Sequence, residues 1–267
     1  MSSKVSGAYK RTKLPDGLFQ PELYAFGEGG YWGGEISDST IDKIKFADVA
    51  KVIAGPLAGQ SYLPAKDPKT TKLLIMLYWG TTAAPAAPEE DPLYISYFAG
   101  LAEFRLLMSE IPPNVDGANH AMTGALHFLN TANHLRDQLD FKNAAMLGYS
   151  DSGLIGTDYG NNIKHGALAI ETRDQILEIE ENRYFVVLMA YDFQLLWKAK
   201  KHKLLWETRF SVSERHNAFD KALPVMARYA SQYFGQPSNG LIRTRVPEGS
   251  VEVKEPTLIE FLSEPKK

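Results

Sequence analysis

The sequence predicts an α+β (mixed α/β) fold in which a single sheet packs with helices, and a helical insertion occupies the middle of the chain. Lys72–Trp79 and Tyr184–Tyr191 are apolar runs rich in strand-forming residues. Between them, residues 94–181 carry apolar residues at helical spacing. With 44% hydrophobic and 23% charged residues, the composition is that of a globular protein. We therefore expect residues 1–267 to form a single domain.

The first part of the chain is predicted to form an arm, a strand, a helix and a second strand. Residues 1–20 are polar and basic, which is typical of a flexible arm. Leu23–Phe26 is a short strand that leads into a glycine-rich loop, Gly27–Gly34. Apolar residues at helical spacing predict a helix over about residues 40–58. The continuous apolar run Lys72–Trp79 predicts a strand buried on both faces.

The rest of the chain is predicted to form the helical insertion, a hairpin, a helix and two short strands. The insertion contains three predicted helices, Tyr94–Ser109, Ala118–Leu139 and Glu171–Glu181. The later elements are the strands Tyr184–Tyr191 and Leu204–Val212, a helix over Phe219–Tyr233, and the strands Leu241–Val246 and Val251–Leu262. The basic segment Lys198–Lys203 is expected to be the hairpin turn, and Asn217 is expected to cap the following helix.

Composition and charge exclude several classes of function. The chain has no cysteine, so it forms no disulfide and has no thiolate nucleophile or cysteine-ligated metal. A net charge of -3 gives no reason to expect nucleic-acid binding, which normally needs a concentrated basic face. The longest apolar run, Leu73–Trp79, is too short for a transmembrane segment. The first residues lack the apolar core of a secretory leader, so we expect a cytoplasmic protein, or a periplasmic or otherwise exported one whose leader has been removed.

The segment Gly148–Gly153 resembles the nucleophile elbow of serine hydrolases, in which Ser150 would be the nucleophile. His165 or His216 would then be the base. Two observations favour a helix end or polar loop instead. The second glycine position of the motif holds a serine, and the preceding Phe141–Leu147 is more typical of a helix than of the buried strand that an elbow requires.

The glycine-rich segment Gly27–Gly34 follows a strand, as phosphate-binding loops do. A nucleotide site needs a helix to begin directly after such a loop, but the next predicted helix begins only near Thr40. The glycine spacing matches neither the dinucleotide nor the P-loop pattern, and the segment contains no lysine. Nucleotide binding is therefore the third hypothesis, and we expect no cofactor.

Three histidines, His120, His127 and His134, recur every seven residues in a predicted helix. Seven residues rise by about 10 Å along a helix, whereas a zinc ligand must lie within about 2.1 Å of the metal. The spacing therefore predicts no metal site, and we interpret these histidines as interfacial or solvated.

Polar residues follow both apolar strands. If the two strands are parallel neighbours, Thr81, Thr82 and Asp192 lie at the same edge of the sheet and could line a ligand-binding cleft. The alternative is that Asp192 caps or turns the chain and that the threonines bond to the backbone. The residue types favour this alternative, but this is the place where a pocket is expected.

Two stretches resemble a group of uncharacterised bacterial envelope proteins, commonly exported lipoproteins. The first runs from Lys45 through Ser61-Tyr62 to Trp79, and the second combines the hairpin Tyr184–Arg209 with the helix Phe219–Gly235. The resemblance implies an envelope location and brings no site residue with it. Such lipoproteins carry a lipidated cysteine, which this sequence does not contain.

Together these observations favour a non-enzymatic binding or assembly protein, in a bacterial envelope, whose partner is a protein or another envelope component. The alternative is a serine hydrolase that uses Ser150, and nucleotide binding ranks below both. Trp79, Trp197 and Trp206 are expected to contribute most to packing.

Overall fold

The computed structural model describes residues 1–34, 37–149 and 166–244, with the backbone alone over residues 166–172. The strands in this part of the chain are β1 Ser2–Val5, β2 Glu22–Trp32, β3 Tyr62–Pro64, β4 Leu73–Thr81, β5 Arg183–Asp192 and β6 Leu204–Ser213. The helices are α1 Phe46–Gly59, α2 Pro92–Ser109, α3 Val115–Leu147, α4 Gly166–Ile179, α5 Phe193–Ala199 and α6 Phe219–Ala230, and a 3-10 turn covers Ser231–Tyr233.

All six strands belong to one mixed sheet in the order β1-β6-β5-β4-β2-β3. Strand β2 runs parallel to β3 and β4. The pairs β4–β5, β5–β6 and β1–β6 are antiparallel. Helices α2, α3 and α4 lie between β4 and β5 in the sequence. The α+β fold class, with one sheet packed against helices and a helical insertion, is therefore confirmed.

The main core lies between one face of the sheet and helices α1 and α6. Alternate residues of β4 are buried there because successive side chains of a strand point to opposite faces. Helix α1 buries Val49, Ile53 and Leu57, which are spaced four residues apart on one side of the helix. Helix α6 buries a similar stripe that includes Phe219, Leu223 and Met226.

A smaller core covers the opposite face of the sheet. Ala144 and Leu147 of α3 pack there against Phe185 and Val187 of β5. The other face of β4 is only half-buried, and Tyr78 is its residue that packs against this smaller cluster. The expectation of a strand buried on both faces is thus met on the α1–α6 face only.

The start of the chain is part of the sheet, where the sequence predicted a flexible arm over residues 1–20. Ser2–Val5 pairs antiparallel with Trp206–Arg209 of β6. The buried Ser3 hydroxyl lies 2.9 Å from the Thr208 hydroxyl and donates to the Tyr233 carbonyl at 2.9 Å. A polar residue can be buried here because its hydrogen bonds are satisfied.

The glycine-rich segment is a strand rather than a loop. Strand β2 continues to Trp32 and pairs with β4 along its length. A Cβ atom at Gly29 would lie 2.5 Å from the Tyr78 ring, so the absence of a side chain lets that ring lie across the strand. Helix α1 begins only at Phe46, so no helix N-terminus adjoins this segment.

Three further boundaries differ from the sequence prediction. Helix α3 continues to Leu147 and ends at Gly148, whose φ of 88° is left-handed. Helix α6 has Ala218 at its N-cap, and the Thr40 hydroxyl instead accepts a hydrogen bond from the Phe219 N–H at 3.1 Å. Residues 193–199 form α5, which includes the first two residues of the predicted turn Lys198–Lys203, and residues 241–244 contain no strand.

Trp206 is the aromatic residue on which the main core most depends. Its side chain is 1% exposed and stacks on Phe234, with ring centroids 6.1 Å apart. We expect Trp206→Ala to lower the free energy of unfolding by about 3–5 kcal/mol, because it leaves a cavity. Urea denaturation measures this loss.

Trp197→Ala is the matched control. Trp197 is 41% exposed, contrary to the expectation that it contributes strongly to packing. Its removal should change stability by only about 0.5 kcal/mol or less, as at most surface positions. Equal losses in the two variants would contradict the assignment of the core.

Candidate functional site

The cleft predicted from Thr81, Thr82 and Asp192 does not form, because β4 and β5 are antiparallel. Leu73 pairs with Asp192 and Thr81 pairs with Tyr184, so the threonines and the aspartate lie at opposite ends of the strand pair. The Asp192 carboxylate accepts the Leu195 N–H at 3.0 Å and caps α5. The alternative role for this residue, as a cap, is the one observed.

Thr82 also has a structural role. Its hydroxyl donates to the Glu181 carbonyl and accepts the Arg183 N–H, both at 2.9 Å. Nearby, the Asn143 amide donates to the carbonyls of Ala83 and Ile179 at 2.7 and 3.0 Å. These bonds join the two ends of the helical insertion where β4 ends and β5 begins, in the middle of the sheet.

The hydrolase hypothesis depends largely on residues outside the described structure. Ser150 and His165 lie in the undescribed segment 150–165. His216 is described, and it is an exposed residue with a φ of 65° in the loop between β6 and α6. The hypothesis of a Ser150 nucleophile therefore stays a prediction.

The histidine stripe His120, His127 and His134 is exposed on α3. Within residues 1–34, 37–149 and 166–244, no group of three or more histidine, aspartate or glutamate side chains could hold a metal ion. Each of these histidines follows a buried alanine by two residues, and the buried side of α3 faces α2. Their spacing therefore reflects the packing of α3.

A polar network fixes the loop between β2 and α1. The Asp38 carboxylate accepts hydrogen bonds from the Tyr184 hydroxyl and, at 3.0 Å, from the Thr40 hydroxyl. Burial would raise the pKa of Asp38, but these hydrogen bonds outweigh it and lower the pKa below its ordinary value. Burial and the bond to Asp38 raise the pKa of Tyr184 to about 12. Since Thr40 also accepts the first N–H of α6, this network connects three elements and has a structural role.

Helices α2 and α3 form a closely packed antiparallel hairpin. Ala118, Ala125 and Ala132 of α3 are buried at intervals of seven residues, the repeat of a coiled-coil seam. A Cβ atom at Gly100 of α2 would lie 2.9 Å from the Ala125 Cβ, so the two helices approach closely. The Tyr94 hydroxyl donates to the Asn133 side chain at 2.7 Å and fixes the alignment of the hairpin.

The outer face of α2 is apolar and exposed. No residue of α2 is buried. Ile95, Phe98 and Leu106 are 50%, 55% and 66% exposed, and the exposed Ala99 and Ala102 lie between them. These five residues, the α2 stripe, lie about half a turn around the helix from Gly100 and the other residues that contact α3.

The exposed surface of α3 is mixed. It includes the three stripe histidines with Asn119, Thr123, Asn130 and Gln138, and also Leu126, Leu135 and Phe141, which are 45%, 52% and 60% exposed. Polar residues interrupt the apolar ones on α3, so they form no continuous stripe there. Helix α2 differs because it is apolar on both faces. The sequence signal for this surface is that Pro92–Ser109 carries apolar residues on two opposite sides of the helix.

A cavity of about 650 Å³ lies near the edge of the sheet that β1 and β6 form. Strand β1 pairs only with Trp206–Arg209, and the cavity adjoins the next residues of β6, Phe210–Val212. Helix α6 forms one wall, Leu147 and Tyr149 form a second, and residues 241–244 form a third. Sequence analysis missed this cavity because its lining comes from segments far apart in the chain.

A comparison with protein-family models, curated proteins and solved structures finds no match to this chain. None of the helices within the described ranges has the length and apolar character needed to cross a membrane. Only the geometry of the candidate sites therefore indicates what they do.

The polar network gives a pH-dependent prediction. We expect Tyr184→Phe to raise the pKa of Asp38, because it removes a hydrogen bond to the ionised carboxylate. The lowered pKa of Asp38 stabilises the fold above its ordinary value of 3.8, and this contribution is lost as the pH falls through the folded pKa. The destabilisation caused by Tyr184→Phe should therefore shrink at acid pH. Carbon-13 NMR titration of the aspartate carboxyls measures the shift.

Tyr31→Phe is the control, because the Tyr31 hydroxyl donates to Asp42 at 2.5 Å. It should raise the pKa of Asp42 and leave that of Asp38 nearly unchanged. An unchanged Asp38 titration in Tyr184→Phe would show that the Tyr184 hydroxyl does not hold the carboxylate.

Proposed function

We propose that this protein is a non-enzymatic assembly protein that pairs with a second copy of itself through the α2 stripe. The observation that carries the proposal is the continuous apolar face of α2, which none of the described residues of the same copy covers. Contiguous exposed apolar surface of this kind marks interaction sites. An apolar helix face is a common docking element for another helix.

The charge of α2 favours a protein partner over a lipid surface. Glu103 and Arg105 are the only charged residues among the 18 of this helix. Helices that lie on membranes commonly have a polar face rich in lysine and arginine, which attracts anionic lipids. Helix α2 has neither the positive charge nor such a face.

The order of side chains along the α2 stripe fits a second copy in the antiparallel direction. A twofold axis between Gly100 and Leu101 places Ile95 opposite the partner's Leu106. The same axis places Ala99 opposite the partner's Ala102, so small residues meet at the centre and large ones at the ends. Phe98 then packs over the partner's Ala102. Such self-complementarity is what a twofold interface requires.

The charges that border the stripe are compatible with this register. Glu103 and Arg105 lie on opposite borders of the α2 stripe. In an antiparallel pair each border meets the same border of the other copy. Glu103 then lies beside the partner's Ser96, and Arg105 lies beside the partner's Phe98. The two Glu103 side chains are about 7.5 Å apart along the axis and the two Arg105 side chains about 13.5 Å apart, so no two like charges meet directly.

A bacterial cell envelope is the setting we propose. The resemblance of the α1–β4 segment and of the β5–β6–α6 segment to envelope proteins supports it. Cell fractionation tests this part of the proposal, which fails if the protein is recovered only from the cytoplasm.

Phe98→Asp tests the assembly surface. We expect the unmodified chain to sediment as a dimer and the variant to sediment as a monomer. A carboxylate in an apolar interface costs several kcal/mol, which raises the dissociation constant at least about a hundredfold. Sedimentation velocity over a range of concentrations measures this, and circular dichroism should show unchanged helix content.

Leu126→Asp is the control for Phe98→Asp. Leu126 is 45% exposed on α3 and lies outside the α2 stripe, so the variant should remain a dimer. A monomeric unmodified chain at every concentration would overturn the proposal. So would equal weakening of the dimer by the two variants.

Disulfide trapping tests the antiparallel direction, because the native chain has no cysteine. We expect a mixture of Ala99→Cys and Ala102→Cys chains to oxidise mainly to mixed dimers, since these positions face each other. A disulfide requires Cα atoms roughly 4.4–6.8 Å apart. Non-reducing electrophoresis with one chain size-tagged measures the products, and a predominance of like-with-like dimers would indicate parallel pairing instead.

A further inference from the structure

We propose that the cavity between α6 and the free part of β6 binds an amphipathic anion, a molecule with an apolar chain and a carboxylate or similar head group. The proposal is independent of assembly, because no residue of α2 lines the cavity. The volume of about 650 Å³ is in the range of small-molecule sites, about 300–1,000 Å³.

One end of the cavity is apolar. Val225, Met226 and Tyr229 of α6 line it, and Leu147 and Leu241 face them from other segments. Leu147 and Met226 belong to the two cores on opposite faces of the sheet. The cavity therefore lies where the two cores meet at the sheet edge, and it offers a hydrocarbon chain a contact surface continuous with the interior.

The other end of the cavity is polar and mainly positive. Lys221 lies in the first turn of α6, eight residues before Tyr229, so the two ends are about 12 Å apart along the helix axis. His216 and Arg183 also line the cavity, and the Arg183 Nε donates to the Ser211 hydroxyl at 3.3 Å. A cation beside neutral donors is suited to holding an anionic head group.

The balance of charge in the lining supports an anion rather than a cation. Three cationic side chains, Arg183, Lys221 and Arg243, line the cavity with one carboxylate, Glu178. Glu178 already accepts hydrogen bonds from the Arg243 Nε, at 2.7 Å, and from the Tyr149 hydroxyl. Arg183 contacts Glu181 at 2.8 Å. Lys221 is exposed at the polar end, and we assign it the main contact with the head group.

The experiment compares decanoate with decanol, which has a chain of the same length and no charge. Isothermal titration calorimetry of the full chain should give one saturable site for decanoate and binding of decanol at least about tenfold weaker, which corresponds to ~1.4 kcal/mol. Lys221→Gln should weaken decanoate binding by a similar factor and leave decanol binding nearly unchanged. Lys66→Gln, an exposed lysine outside the cavity, is its control.

Val225→Trp tests the location, because an indole at this position fills the apolar end. It should abolish binding of both probes, whereas Leu63→Trp at the opposite edge of the sheet should leave binding unchanged. Circular dichroism shows whether each variant is folded, and Val225→Ala, which enlarges the cavity, should retain binding.

Either of two results would overturn the proposal. One is the absence of saturable decanoate binding, and the other is binding that Val225→Trp does not change. Equal affinity for decanoate and decanol would overturn the anionic part and assign the cavity to neutral apolar ligands. Phe98→Asp should leave decanoate binding intact, so loss of binding in that variant would place the probe on the α2 stripe instead.

Discussion

The pairing of β4 with β5 is the constraint on which the rest of the structure depends. Arg183 and Thr82, which begin this pairing, are 101 residues apart in the chain. Closing a loop of this length costs about 4 kcal/mol of chain entropy by the logarithmic rule. The ladder from Leu73–Asp192 to Thr81–Tyr184 offsets that cost, together with the hydrogen bonds of Thr82 and Asn143. Because these bonds fix both ends of the insertion at one point, α2 and the outer part of α3 extend from the sheet as a hairpin.

That geometry explains why α2 keeps an exposed apolar face. The main core is covered by α1 and α6, and the smaller core is covered by the end of α3. Helix α2 contacts α3 and is not needed to cover either core. The alanine seam of α3 packs against only one side of α2. The α2 stripe therefore adds little to the stability of one copy, and it is the surface on which the proposed contact between copies depends.

The sequence predicted the elements with strong periodicity and missed what depends on tertiary packing. The apolar run of β4 and the helical spacing of α1 gave those elements to within a few residues, except at the start of α1. Strand direction was not predictable. Three intervening helices can return a chain in either direction, and the antiparallel return separated Asp192 from Thr82. Gly27–Trp32 was misassigned because glycine is typical of loops, whereas here it makes room for the neighbouring side chains.

The candidate sites differ in how far sequence could reveal them. The α2 stripe is local, and two helical phases of apolar residues within 18 positions would have indicated it. The cavity is not local, since Tyr149, Phe210, Lys221 and Leu241 meet only after the sheet and α6 have formed. The cavity lies at the end of the β1–β6 pairing, next to Phe210–Val212, where the two cores meet.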